Sequence, residues 1–142
     1  MPGMALSHAL SDYENQRMKL NHINIRANME LLDAVKQFYC DAFGLKEGYR
    51  PKVTRKGYWL YSDDAALIHL EESRDDLQAA RRGHLDHVAF ESTNVKSLID
   101  RLNCMNVSYR SSYIEDLHLT QLFVFDPVGN KIEINFPSEK LE

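Results

Sequence analysis

The sequence predicts an α+β fold in which one βαβββ module is written twice. The first reason is a repeat. Leu20-Asn21-His22-Ile23-Asn24-Ile25 and Leu85-Asp86-His87-Val88-Ala89-Phe90 share the pattern Leu-x-His-Φ-x-Φ, where Φ is apolar, and Leu67-Ile68-His69-Leu70 is matched by Lys131-Ile132-Glu133-Ile134. His22 and His87 lie 65 residues apart, and His69 and Glu133 lie 64 apart. Two matches at nearly one offset mark a duplication. The second reason is that each half runs through the same order of periodicities.

In the first half, residues 20–26 alternate apolar and polar, as a half-buried strand does. Met29 to Phe43 then carries Leu31, Val35, Phe38, Tyr39, Ala42 and Phe43 at helical spacing. Gly44 closes that helix. Short strands follow near 47–50, 57–61 and 65–71. In the second half, a strand at 85–91 leads to Thr93 or Asn94, either a good N-cap. Val95, Leu98, Ile99 and Leu102 form the helical stripe, and strands follow near 107–110, 120–126 and 130–136. Asp126-Pro127-Val128-Gly129 has proline second and glycine fourth, which suits a type I turn between the last two strands. The expected organisation is an N-terminal extension over 1–17 and a single domain over 18–137. That domain consists of modules 18–72 and 84–137 joined by a charged linker, 73–83, and a tail follows at 138–142.

Composition narrows the function classes. The chain has 142 residues, 44% hydrophobic and 27% charged, an ordinary mixture for a soluble domain with its own core. Seventeen basic residues against 21 acidic give a formal charge of -4, with no basic run to attract nucleic acid or anionic lipid. No apolar run approaches the roughly 20 residues of a membrane span. Residues 1–17 lack the basic start and apolar core of a signal peptide. Cys40 and Cys104 form no paired motif and read as buried or half-buried free thiols, which suits a reducing cytoplasm.

Strand alternation then sorts the polar side chains. His22, Asn24 and Arg26 oppose Ile23 and Ile25. His87 and Glu91 oppose Val88 and Phe90. His69 and Glu71 oppose Ile68 and Leu70, and Glu133 opposes Ile132 and Ile134. If the halves pack about a pseudo-twofold axis, His22, His69, His87 and Glu133 converge in one cleft as ligands of a divalent metal, because imidazole and carboxylate suit zinc, nickel, manganese, cobalt or ferrous iron. Glu133 and His69 are also the candidate catalytic proton carriers. Arg26 and Gln121 share the polar faces and are candidates for substrate binding. So is Trp59, although Tyr58-Trp59-Leu60-Tyr61 can also be read as core packing. His8, His84 and His118 lie outside the repeat.

The segments LNHINI, FYCDAFGL, ALIHLEE, LDHVAF and QLFVFDPVGNKIEINF resemble the vicinal oxygen chelate superfamily, which includes glyoxalase I, methylmalonyl-CoA epimerase, extradiol dioxygenases and fosfomycin-resistance transferases. The resemblance covers roughly residues 19–137. It implies a curved eight-stranded mixed sheet around a metal cleft, with ligands at His22, His69, His87 and Glu133, and a homodimer. Where this chain has His69, glyoxalase I typically has glutamate and the epimerase glutamine, a departure from both. The resemblance implies a glyoxalase-like isomerase or lyase acting next to a carbonyl through metal chelation of neighbouring oxygens. An Fe(II)-dependent extradiol-type dioxygenase is the alternative, since His22, His87 and Glu133 match its ligand set. A third is a non-catalytic resistance protein that sequesters a small molecule. The fold alone does not choose among these chemistries.

Overall fold

A computed structural model describes residues 18–75, 77 and 84–142. The extension at 1–17, with His8, and most of the expected linker lie outside the described residues. The first module runs β1 (Ile23–Ala27), α1 (Met29–Phe43), β2 (Lys46–Gly48), β3 (Gly57–Ser62) and β4 (Ala65–Glu72). The second runs β5 (Val88–Glu91), α2 (Val95–Cys104), β6 (Arg110–Ile114), a 3-10 turn at Glu115–Leu117, β7 (Leu119–Phe125) and β8 (Lys131–Pro137). The βαβββ order holds in both halves.

The eight strands of the described residues form two four-stranded mixed sheets, in the orders β1-β4-β3-β2 and β5-β8-β7-β6. In each, the opening strand pairs parallel with the closing strand and the other pairs are antiparallel. The equivalent registers place Asn24 opposite His69 and Ala89 opposite Glu133. The duplication is thus a duplication of register, and it puts His69 and Glu133 at equivalent places.

Local chemistry explains the helices. Asn28 is extended and its side-chain oxygen accepts the Leu31 N–H at 2.9 Å, satisfying one of the free amides of α1. Gly44, at φ 70°, ends the helix as expected, with its N–H on Cys40 O. Asn94 caps α2, accepting from Ser97 N at 3.2 Å. The carboxylate of Glu139, in the C-terminal tail, also accepts the N–H groups of Asn94 and Val95 at 2.8 and 2.9 Å. A negative charge there complements the helix dipole.

Leu32, Val35 and Tyr39 of α1, Leu98 and Leu102 of α2, and alternate strand residues such as Ile68, Leu122 and Ile132 form a continuous core. Among the described residues, two side-chain hydrogen bonds tie the modules together. Tyr39 donates to Asp126 Oδ2 at 2.7 Å, and Arg101 Nε donates to Ala42 O at 2.9 Å. Asp126 also accepts from Val128 N, Asn130 N and Asn130 Nδ2, and its carbonyl takes Gly129 N, the bond the expected turn requires.

Some expectations need correction. β1 and β5 begin one residue after His22 and His87, so these imidazoles stand at the strand mouths and Leu20 and Leu85 lie outside the strands. β6 begins at Arg110 rather than 107, because Val107 and Tyr109 pack on the core without joining the ladder. Cys40 is half-buried, but Cys104, at the end of α2, is exposed.

Candidate metal centre

The candidate ligands fall into two equivalent half-sites, one on each module. On the second, His87 Nε2 lies 2.7 Å from Glu133 Oε2. Nδ1 of His87 is held at 2.8 Å by the carboxylate of Asp86, which Lys131 also pairs at 3.2 Å. These two partners hold the Asp86 carboxyl below its usual range, His87 more than Lys131. Glu133 is buried, and its other oxygen accepts from Gln121 Nε2 at 2.6 Å. Gln121 also reaches Asn135 at 3.3 Å and accepts from Ser112 at 3.1 Å. A hydrogen-bonded chain thus runs from Ser112 through Gln121 to Glu133, His87 and Asp86.

On the first module, His22 Nδ1 bonds Asn21 Oδ1 at 2.7 Å, the counterpart of the bond from His87 to Asp86. His22 stacks on His69 with centroids 3.8 Å apart and planes at 14°, and the other face of His69 stacks on Trp59 at 3.9 Å and 9°. Burial, and then the neighbouring His22, hold the His69 imidazole below its ordinary value, so it is neutral at neutral pH.

The donors suit a divalent cation. With His22 and His87 each bonded through Nδ1 to an acceptor on the preceding residue, Nε2 would be the ligating nitrogen, the orientation usual around metals. A cation bound at the usual N and O distances with a right angle between them would separate the two donors by about 2.9 Å. The pair His87–Glu133 is already at that spacing. The stacked pair is different. An imidazole ligates in its own plane, and parallel planes 3.8 Å apart share no such point, so His22 and His69 would bind one ion together only if a ring turned. Among the described residues, no group of three or more His, Cys, Asp or Glu side chains lies close enough to hold a metal. The expected four-ligand cluster is therefore two pairs within this chain.

The other candidates separate clearly. Trp59 lies on the His69 face, whereas Leu60 is fully buried, so the alternation in this run puts Trp59 on the side of the candidate ligand His69. Gln121 stands against Glu133 itself. Arg26 is exposed on β1, opposite Glu71 in the register. His84 is exposed, and His118 sits in a left-handed turn after the 3-10 segment. Sequence reasoning passed over Asn21 and Asp86, although the signal was present: the variable position of the Leu-x-His repeat holds a side-chain acceptor both times.

The model of the Glyoxalase/Bleomycin resistance protein/Dioxygenase superfamily matches residues 19–134. The chain belongs to this superfamily. No curated protein matches it. Among solved structures, a glyoxalase family protein from Bacillus anthracis superimposes with a TM-score of 0.69 at 21% identity, covering 87% of this chain and 98% of that one. The fosfomycin resistance protein FosX of Listeria monocytogenes, in complex with Mn(II) and a dihydroxypropylphosphonic acid, gives 0.66 at 19% identity, covering 86% and 94%. A lactoylglutathione lyase from Agrobacterium tumefaciens gives 0.58 at 19%, covering 85% and 95%. At such identities these likenesses establish the glyoxalase fold, not the reaction.

Proposed function

We propose that this glyoxalase-superfamily chain is a metal-dependent enzyme, an isomerase or lyase acting next to a carbonyl on a substrate with two neighbouring oxygens. The observation that carries the reading is the pair His87–Glu133 at 2.7 Å, braced on one side by Asp86 and on the other by Gln121. His22, His87 and Glu133 would hold the ion, with His69 as a fourth ligand or a neighbour. When bound, the metal supplies a Lewis acid for charge that develops on the substrate oxygens. His69, neutral and enclosed between two rings, can take or return a proton next to a carbonyl. Glu133 can share that role, since its Oε1 is anchored by Gln121 and its Oε2 faces His87. Trp59 offers an apolar wall to the substrate.

The complete site is proposed to form in a homodimer. β1 and β5 are both edge strands, and across a cleft of about 170 Å³ the segments Ile23–Ile25 and Asp86–Val88 face each other without pairing. Leu20 and Leu85, equivalent in the repeat, are 72% and 80% exposed. A second copy that paired its β1 with this β5 would extend each sheet, cover both leucines and bring its His22 towards His87 and Glu133. Unpaired edges call for such cover.

The two-histidine, one-carboxylate set also suits ferrous iron, so an extradiol-type dioxygenase is the second reading. Elemental analysis of protein purified without added metal decides between them. Zinc, nickel, cobalt or manganese, together with turnover of hydroxy-ketones or thiohemiacetals, is expected. Iron with oxygen uptake on catechols would move the assignment to the dioxygenase. Absence of any metal at wild-type levels above those of His87→Ala would sink both.

A further inference from the structure

The face of the second module that carries Glu133 also carries an arginine. β6, β7 and β8 are neighbours in one sheet, and the register sets Arg110 opposite Phe123 and Phe123 opposite Glu133. Residues directly opposite each other in a ladder point to one face, so these three side chains form a row that ends on the candidate ligand. The neighbouring row confirms the face: Ser112, two residues after Arg110, donates to Gln121, which donates to Glu133. Contacts tie the row to the histidine as well. The Arg110 guanidinium stands 5.8 Å from the centre of the Phe123 ring, and the same ring meets His87 edge to face at 6.4 Å.

Two cations reach the Phe123 ring, and only one of them is neutralised. Lys131 Nζ, 5.2 Å from the ring centre, pairs with Asp86 at 3.2 Å. Arg110 is exposed, and among the described residues no carboxylate pairs with its guanidinium. Both cations line a cavity of about 260 Å³ together with Ser108, Tyr109, Phe123 and Phe125. Aromatic walls beside an open guanidinium suit a flat acid, whose body packs on the rings while its carboxylate takes the planar fork. We propose that this cavity receives the carboxylate end of the substrate, with Arg110 as its ion-pair partner. This rests on the metal-site reading and narrows it to acidic substrates. Arg110 and Glu133 stand two strands apart, about 10 Å between backbones. The carboxylate and the two chelating oxygens therefore lie at opposite ends of a flat body about one aromatic ring long, packed against Phe123.

Calorimetry with protein loaded with Mn(II) tests it. The probes are 3,4-dihydroxybenzoate and its methyl ester, which keeps the ring and both neighbouring oxygens and lacks the charge. The acid is expected to bind about threefold to tenfold tighter at low salt, and added salt should shrink that preference, because a solvent-facing ion pair is screened. Arg110→Gln should abolish the preference and leave ester binding unchanged, and Arg110→Lys should keep part of it. Lys96→Gln, which removes an exposed positive charge from α2, should keep all of it. Equal binding of both probes to the wild type, a preference that survives Arg110→Gln, or one lost equally in Lys96→Gln would overturn the proposal. Should the protein take up no Mn(II), the metal reading fails separately, and ligand-observed NMR of benzoate with the metal-free protein decides the fate of Arg110. Binding that is lost in Arg110→Gln supports it; no binding overturns it. Circular dichroism checks that each variant folds. If Arg110→Gln does not, Arg110→Lys serves alone, and an undiminished preference there overturns the proposal.

Discussion

At the scale of single residues, the proposed site depends on acceptors that would not themselves face a bound metal. Asp86 fixes His87 through Nδ1, and Asn21 does the same for His22. Partners of this kind change metal affinity by roughly 10–100-fold when removed. Asp86→Leu should therefore weaken metal binding about 10–100-fold with little change in folding, since Asp86 lies at the surface and not in the core. A competition titration against a chelator reads this, and unchanged affinity would mean that His87 is not a ligand. The shared faces of the candidate ligands were legible because strand alternation is strict: His69 and Glu133 each sit between two buried apolar residues. Periodicity did not reveal Asn21 and Asp86 as partners of the histidines, because both stand before the first residues of β1 and β5, where alternation does not sort side chains. Nor could alternation alone decide which face of Tyr58-Trp59-Leu60-Tyr61 was inward. That needed the pairing of Trp59 with His69 across the ladder.

At the scale of elements, both helices were legible from capping and periodicity, with α1 spanning Met29–Phe43. Strand starts were less so. Apolar spacing reports burial, whereas a strand is defined by hydrogen bonding, and Val107 and Tyr109 achieve the first without the second. The close approach of β3 to β4 is equally invisible in one dimension. A Cβ at residue 57 would fall 1.9 Å from Leu70 O, a backbone atom that cannot move without breaking the ladder. Gly57→Ala is expected to cost more than about 2 kcal/mol, the range of overpacking in a well-packed region, and a urea midpoint near the wild type would disprove that. The N-terminus of α2 is held by a residue outside its own segment. Glu139→Ala removes two bonds to its first amides and should cost about 1 kcal/mol. Since Thr120 bonds the carbonyl of Glu139 rather than its carboxylate, the tail itself should stay in place.

At the scale of the whole molecule, the modules are joined by a buried bond between Tyr39 and Asp126, so module packing can be tested apart from the cleft. Burial, and then the Asp126 carboxylate, push the Tyr39 phenol well above its usual 10.0. Because the folded value is the higher one, this stabilisation is complete below about pH 10 and is lost as pH rises beyond it, where the unfolded chain releases the proton more readily. Tyr39→Phe should cost about 1 kcal/mol at neutral pH, Asp126 keeping its other donors, and should lose stability less steeply above pH 10 than the wild type. The cleft poses the larger question, because within one chain its donors stand as two pairs. Mixing answers it. His22→Ala and Glu133→Ala should each bind metal poorly as pure proteins. If each site takes His22 from one copy and His87 with Glu133 from the other, a hybrid dimer of the two variants contains one fully broken site and one that is wholly wild type. Denaturing the two together and refolding them should then restore high-affinity metal binding to the hybrids, at one ion per hybrid dimer. A site confined to a single chain predicts no recovery at any mixing ratio, since every chain carries a lesion. Recovery would place the second copy inside the active site; its absence would return the problem to a rearrangement that closes β1 on β5 within one chain.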